Sequence, residues 1–226
     1  FQAAYLKVHH PAEFMAAVIS NQGGFYGTFA YVSEARRMGL TILPPAINTS
    51  EICWTGRNNA IQVGLLSIKG LSVDIQARII SQRQDHRFDS VHDILQRVRP
   101  DEAEARALIH CGALDEFNPS GNRAELLWTL ACWSKDRGTK LTGHTPSLFG
   151  SAEKTRSCPV PLLPPEDKRD RLRREFAVLG FLCDRHPMEL FKQRLQNLRT
   201  VNAIDLPLYV GKRVRFAGWL VTGKVV

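Results

Sequence analysis

Two short turns with a central glycine interrupt helical patterns between residues 64 and 117, and they constrain the fold more than any other feature. The first turn spans residues 68–72, and the second lies within residues 108–115. Each turn has apolar residues on both sides of its glycine, which favours a tight chain reversal against a core. The pattern therefore predicts a compact helical unit. Its helices are expected at about residues 73–83, 88–98 and 102–111.

The first turn has the features of a site for a phosphate oxygen. Gly70 lets the backbone approach a ligand closely, because glycine has no β-carbon. The helix predicted after Ser72 presents unpaired N–H groups and a partial positive charge at its first turn. Lys69 adds a cation beside the glycine. Such contacts would hold a nucleic-acid backbone without reading its sequence, and the alternative is an ordinary corner between two helices.

The second turn is less suited to an anion. No lysine lies beside Gly112, and Asp115 and Glu116 follow it. These carboxylates would repel a phosphate. The second turn is therefore expected to be mainly structural, although Gly112 is retained among the candidate backbone contacts.

The rest of the chain is also predicted to be largely helical. A short strand is predicted at residues 60–63, and residues 213–218 alternate as a strand would. Residues 134–166 lose periodicity and are rich in Gly, Ser, Thr and Pro, which predicts a linker. The five basic side chains within residues 166–176 indicate either a solvated surface or a contact with DNA or another domain. Further helices are predicted at residues 1–20, with a new start at Pro11, and at 25–39, 118–133, 166–176 and 187–195.

The composition favours a phosphate-rich partner. Lysine and arginine total 30 against 22 aspartates and glutamates, a net charge of +8. Binding to nucleic acid would release counterions, although a basic protein without such a role has the same composition. The five cysteines are far apart and form no C-x-x-C motif, so no metal site is expected and reduced thiols are favoured.

The chain is expected to be a cytoplasmic fragment of a longer protein. No apolar run reaches the roughly 18 residues that a membrane helix needs. The first residue is Phe1 rather than methionine, and no signal peptide is visible. The last residues interrupt a strand-like pattern, so both ends are interpreted as cut.

The first turn and its helix resemble a helix-hairpin-helix motif, whose hairpin is usually a glycine, a hydrophobic residue and a second glycine. Ser72 stands where the second glycine is expected. Ordered blocks across nearly the whole chain then resemble the bacterial DNA polymerase III alpha subunit, a C-family DNA polymerase. These blocks are residues 4–17, 34–48, 64–70, 108–115, 175–187 and 211–218.

The resemblance implies a mainly helical chain that ends in a short β segment. It also implies that the parent chain is a DNA-directed DNA polymerase whose palm aspartates bind Mg²⁺. Those aspartates have no counterpart here, so no catalytic residue and no cofactor are expected, and the chain should be inactive alone. The implied parts are the end of a fingers domain (1–60), a tandem helix-hairpin-helix DNA-binding domain (61–133), a linker with a clamp-peptide-like segment (134–166), a helical connector (167–205) and an incomplete OB-fold start (206–226).

Two sets of binding residues follow from the motifs and the resemblance. The place of the family's sliding-clamp peptide is held by residues 145–150, which could instead pack back on their own domain. Other replisome subunits are expected to bind the parent chain. The expected backbone contacts with double-stranded DNA are Lys69, Gly70, Leu71, Ser72, Arg78 and Gly112. The expected clamp contacts are Thr145, Ser147, Leu148 and Phe149.

Two other functions remain open at this stage. One is an accessory, error-prone polymerase paralogue, which the departures at Ser72 and Thr145 slightly favour. The other is a stand-alone DNA-binding or clamp-recruiting module without polymerase activity.

Overall fold

The chain is mainly helical with one small sheet, as the sequence predicts. The computed structural model describes residues 1–22, 26–142, 161 and 163–221, and for residues 136–142 it describes the helix but not the side chains. The helices described are α1 (Gln2–His9), α2 (Pro11–Ser20), α3 (Thr28–Arg37), α4 (Val73–Asp85), α5 (Val91–Arg97), α6 (Glu102–His110), α7 (Arg123–Thr142), α8 (Lys168–Leu179) and α9 (Lys192–Gln196).

The first three helices form the part expected to end a fingers domain. Pro11 is the first residue of α2, where its missing N–H costs no hydrogen bond. The predicted break at this proline is thus confirmed. Helix α3 is followed by Gly39, whose φ of +81° is the left-handed conformation that glycine favours after a helix.

A three-stranded sheet packs against α2. Strand β3 (Ala60–Gln62) lies between β1 (Thr41–Leu43), to which it is parallel, and β2 (Thr55–Arg57), to which it is antiparallel. The strand predicted at residues 60–63 is found, but β2 lies where no strand was predicted. Glycine is required at residue 56, because a β-carbon there would stand 2.2 Å from the backbone of Ala12.

Helices α4 to α7 surround the two predicted turns, and side-chain caps set where three of them begin. Ser72, Ser90 and Asp101 each accept a hydrogen bond from a backbone N–H in the first turn of the following helix. Helix α5 begins at Val91 rather than near residue 88, because Ser90 is extended and serves as its cap. Before the first turn there is only a single 3-10 turn, Leu65–Ser67.

Helix α7 differs from its prediction at both ends. It begins at Arg123 rather than at residue 118, because the Asn118 side chain donates to the Asn122 carbonyl at 2.6 Å and closes a loop around Gly121. Its other end reaches Thr142, inside the segment expected to be linker.

Helix α8 leads into a C-terminal segment that contacts α3 and the core. The helix ends at Gly180, which has a φ of +80°. Phe181 then packs in the core, with its ring centroid 5.4 Å from that of Trp54. From α3, the Arg36 guanidinium donates to two carbonyls after α8, those of Leu182 and Arg185.

The alternating residues 213–218 form no strand in the described part of the segment, which ends at residue 221. Val201 donates to the Arg215 carbonyl at 2.9 Å, and Trp219 packs at 5.8 Å from Phe29 of α3. The start of an OB fold at residues 206–226 therefore stays a prediction.

Candidate nucleic-acid interface

The two predicted turns have the same backbone geometry. Gly70 has φ of +84° and Gly112 has φ of +88°, and both values lie in the region that side-chain-bearing residues rarely adopt. Each glycine precedes an apolar residue that turns into the core, Leu71 in the first turn and Ala113 in the second. We call residues 68–72 hairpin 1 and residues 110–114 hairpin 2.

Most backbone donors of hairpin 1 already bind the protein itself. The Lys69 N–H donates to the Val178 carbonyl at 3.1 Å, and the Leu71 N–H donates to the Ile68 carbonyl at 3.2 Å. The Ser72 N–H donates to Glu104 Oε1 at 3.1 Å. The expectation that the amides of Lys69, Leu71 and Ser72 are free for a phosphate is therefore wrong. The fold uses them to join hairpin 1 to α6 and α8.

The carboxylate of Glu104 occupies the place where a phosphate was expected. Its Oε1 also accepts from the Ser72 hydroxyl at 2.6 Å, while its Oε2 accepts from the Asp101 N–H at 2.9 Å. Glu104 is 7% exposed and completes a capping box with Asp101 at the start of α6. One carboxylate thus contacts the beginnings of α4 and α6 together. The Asp101–Glu104 spacing signals the capping box in the sequence, but nothing there signals the contact with Ser72.

A smaller set of donors at hairpin 1 is still available. The N–H groups of Gly70, Val73 and Asp74 have no hydrogen-bond partner among the described residues. Lys69 and Gly70 are exposed, and no carboxylate in the described part of the chain pairs with Lys69. The Lys69 amine lies near Gly180, 3.4 Å from where a β-carbon would be, at the negative end of α8.

Arg78 braces two helices of the hairpin region. Its Nη1 donates to the Val98 carbonyl at 2.8 Å, which joins α4 to the end of α5. The residue is nonetheless exposed and has no carboxylate partner among the described residues. Its guanidinium therefore keeps donors that face solvent, and its contact with DNA remains a prediction.

Hairpin 2 is closed by Arg123. A β-carbon on Gly112 would stand 2.3 Å from Arg123 Nη2, so the guanidinium lies directly over the glycine. Ala113 and Leu114 are 1% and 2% exposed. The Ala113 carbonyl accepts from the Ile47 N–H at 2.9 Å. The structural interpretation of this turn is supported, because Arg123 covers the glycine and the Gly112 N–H donates to the Ile109 carbonyl at 3.1 Å. Gly112 as a DNA contact stays a prediction, which these contacts disfavour.

Burial also sets the chemistry of hairpin 2. It raises the pKa of the Cys111 thiol to about 12, so this cysteine stays protonated and unreactive. Burial lowers the pKa of His110, and the positive charges of Arg174 and Arg123 lower it further. Both side chains are therefore neutral near neutral pH, and neither attracts nor repels a phosphate by its charge.

The basic side chains of α8 mostly bind neighbours within the protein. Arg171 donates to Asp115 at 3.2 Å, which ties the first half of α8 to the end of hairpin 2. Lys168 has no ion-pair partner among the described residues. Of the two interpretations left open, contact with another part of the chain is supported for Arg171. The remaining pairs are Arg169 with Gln193, Arg173 with Asp170, and Arg174 with Glu166.

The described residues do not fit a two-metal catalytic centre. One group of three potential ligands is found among them, formed by His86, Asp89 and Asp93. Asp93 Oδ2 accepts from Arg97 at 3.0 Å and from the Asp89 N–H at 3.3 Å, so a metal ion at this group would compete with a cation of the protein. No described helix is long and apolar enough to cross a membrane. The predicted clamp residues Thr145, Ser147, Leu148 and Phe149 lie outside the described residues.

Paired glycine turns between capped helices define a helix-hairpin-helix domain, and the family profile described as a helix-hairpin-helix motif matches residues 39–126. The similar proteins are DNA polymerases. A DNA polymerase III subunit alpha from Campylobacter jejuni is 29% identical over 218 residues, which cover 91% of this chain and 18% of that protein. An error-prone DNA polymerase from Corynebacterium glutamicum is 32% identical over 219 residues, which cover 96% of this chain and 19% of that protein. A second error-prone DNA polymerase, from Aromatoleum aromaticum, is 28% identical over 230 residues, which cover 97% of this chain and 20% of that protein.

The chain is thus homologous to C-family DNA polymerases over most of its length, and the resemblance seen in its sequence blocks is confirmed. It spans about a fifth of the length of the curated relatives it matches.

Proposed function

We propose that this chain is the hairpin-bearing segment of a C-family DNA polymerase and that it holds the backbone of duplex DNA without reading its sequence. The observation that carries the proposal is the exposed Lys69–Gly70 corner, beside the unpaired N–H groups at the start of α4. A cation, a glycine and a helix N-terminus together form a chemically suitable site for one phosphodiester oxygen. Because the similar proteins are DNA polymerases, we propose that this phosphate belongs to a DNA backbone.

The proposed contact uses fewer backbone donors than a hairpin in which every amide is free. Gly70, Val73 and Asp74 offer backbone N–H groups, and Lys69 offers its amine. The Ser72 donors are directed to Glu104 and do not take part. We therefore expect modest affinity that falls as salt rises, with hairpin 1 and the start of α4 holding the backbone and Arg78 as a further proposed contact.

The parent reaction is proposed to be template-directed addition of deoxynucleotides in the bacterial cytoplasm. Such polymerases are generally Mg²⁺-dependent, and the ion supplies Lewis-acid stabilisation of the transferred phosphate. The His86 group is the one set of three potential metal ligands among the described residues, and its Asp93 already pairs with Arg97, so we propose a binding role for the chain rather than a catalytic one. A primer-extension assay of the chain alone should show no incorporation, and any incorporation would contradict this part of the proposal.

A main replicative enzyme and an accessory error-prone enzyme are both compatible with the proposal. The relatives include a DNA polymerase III subunit alpha and several error-prone polymerases at similar identity. Recruitment to a sliding clamp through residues 145–149, and contacts with other replisome subunits, are further proposals. A stand-alone binding module is less favoured, because the similarity covers nearly the whole chain and points to polymerases.

The test is the affinity of the chain for a short labelled duplex, measured by fluorescence anisotropy. Lys69→Gln removes the charge but keeps the N–H that donates to Val178, whereas glutamate would place a negative charge at the negative end of α8. The control is Arg57→Gln, which removes an exposed positive charge in β2. Lys69→Gln should weaken binding roughly three- to tenfold at about 50 mM salt and reduce the salt slope by about 1.

Two results would contradict the proposal. If Lys69→Gln and Arg57→Gln weaken binding equally, only overall charge matters and hairpin 1 has no special role. If duplexes of different sequence bind with clearly different affinities, the contact is not confined to the backbone.

A further inference from the structure

We infer that Glu104 is a built-in negative determinant of DNA affinity, a buried carboxylate that weakens the hold of hairpin 1 on phosphate. The inference rests on the proposed function, because it concerns the same site. Its basis is the contact of Glu104 with both donors of Ser72, at 3.1 Å and 2.6 Å. These are the donors nearest to the N–H groups that we assign to the phosphate.

Glu104 is held in place through both of its carboxylate oxygens. Its Oε2 accepts from the Asp101 N–H at 2.9 Å, and its own N–H donates to the Asp101 carboxylate at 2.7 Å. Swinging the side chain out would uncap α6 and expose a group that is 7% exposed in the fold. A phosphate bound at Gly70 must therefore lie beside a fixed negative charge.

The carboxylate also weakens the attraction of α4 for anions. A helix N-terminus carries a partial positive charge, and Glu104 neutralises part of it before any ligand binds. The exposed Asp74 in the first turn of α4 acts in the same direction. Lys69 is the one side-chain cation that we place at this corner, where it faces the two carboxylates of Glu104 and Asp74.

Glu104→Gln separates charge from structure. Glutamine at this position still completes a capping box, with its amide oxygen accepting from the Asp101 N–H. Its amide nitrogen then faces Ser72 and can donate to the hydroxyl, which releases the Ser72 N–H for a phosphate. The change therefore removes a repulsive charge and adds a donor without opening the core.

The experiment compares Glu104→Gln with two controls in the same duplex-binding assay. Glu102→Gln removes an equal charge from the first turn of the same helix, where Glu102 is 53% exposed and paired with Arg106. Glu104→Asp keeps the charge but shortens the side chain, so it reports on loosening alone. Glu104→Gln should bind roughly three- to tenfold more tightly than wild type at about 50 mM salt, with a smaller gain at about 200 mM.

Each outcome decides the inference. Tighter binding by Glu104→Gln alone supports it, whereas equal gains for Glu104→Asp or Glu102→Gln overturn it. If wild-type binding depends on Lys69 but Glu104→Gln changes nothing, the inference fails and the proposed function stands. If binding is insensitive to Lys69→Gln, the proposed function fails. Melting curves of all variants, read by circular dichroism, confirm that each is folded at the assay temperature.

Discussion

The guanidinium of Arg123 lies across Gly112, so that a β-carbon at residue 112 would stand 2.3 Å from its Nη2 atom. Arg123 is 4% exposed and is held in place by the Asp115 carboxylate at 2.8 Å and 2.7 Å and by the His110 carbonyl at 2.7 Å. Hairpin 2 is therefore closed by a side chain of fixed position. At Gly70 of hairpin 1, by contrast, a β-carbon would have no described neighbour within 4 Å.

This difference predicts unequal effects of alanine at the two glycines. Both positions have positive φ, which costs an alanine about 1 kcal/mol. Gly112→Ala also displaces Arg123, so its total loss of unfolding free energy should be about 3 kcal/mol. Urea unfolding of Gly70→Ala and Gly112→Ala checks this. Equal losses would mean that Arg123 gives way freely.

The Asp115 carboxylate pairs with both Arg123, which is buried, and Arg171, which is partly exposed. We expect the two arginines to contribute differently to the free energy of unfolding. Arg123→Ala removes a buried side chain with three hydrogen bonds and should destabilise the fold by about 3 kcal/mol. Arg171→Ala removes a side chain that is 38% exposed, and its loss should be about 0.5 kcal/mol. Chemical denaturation of both variants measures the difference. A larger loss for Arg171→Ala would contradict the assigned role of Arg123.

The buried Glu175 predicts a dependence of stability on pH. It is 8% exposed and accepts from the Cys183 N–H at 2.9 Å, and burial raises its pKa above the ordinary 4.5. Because the folded-state pKa exceeds the unfolded-state value, the stability contributed by protonated Glu175 is present below 4.5 and is lost as pH rises through the raised pKa.

Glu175→Gln should therefore gain stability relative to wild type as pH rises above 4.5. A gain of about 1 kcal/mol is expected near neutral pH, and little difference below 4.5. The exposed Glu189→Gln serves as the control and should leave the pH profile unchanged. Thermal melts across this pH range give the comparison, and a gain that is largest in acid would show that the sign is wrong.

The clamp proposal predicts that two apolar side chains carry the contact. Replacing Leu148 and Phe149 together by alanine should reduce capture of a bacterial sliding clamp roughly tenfold, because such peptides bind through hydrophobic anchors. Thr145→Ala is the matched control and should have a smaller effect, since threonine lacks the usual glutamine side chain. Unchanged capture by the double variant would dismiss this peptide as a clamp ligand.

The sequence predicted the helices well because their signals are local. Three helices begin at a cap whose side chain bonds an N–H within three residues, namely Ser72, Ser90 and Asp101. Helix α3 is followed by Gly39, whose positive φ favours glycine at that position. Strand β2 escaped prediction because its three residues, Thr55, Gly56 and Arg57, include no apolar side chain that would mark a buried strand. What fixes it is the fit of Gly56 against Ala12, which only the folded chain reveals.

The sequence is enough to propose a site at Gly70 and Lys69, but it does not show which donors there are already bonded within the fold. Gly70 and Lys69 are recognisable because glycine, a cation and a helix start follow one another in the chain. The groups that occupy the remaining donors, Glu104 and the Val178 carbonyl, come from distant helices. Their side chains and carbonyls carry no sequence mark of that contact, so amides that look free in the sequence are satisfied in the fold.

Helix α8 joins both hairpins, through the Val178 carbonyl at one end and Arg171 nearer the other. Beyond it, Arg36 of α3 donates to the Leu182 and Arg185 carbonyls. A force applied to hairpin 1 would therefore be transmitted through α8 to the end of hairpin 2 and to α3, so that mechanical tension would be shared between three segments of the chain.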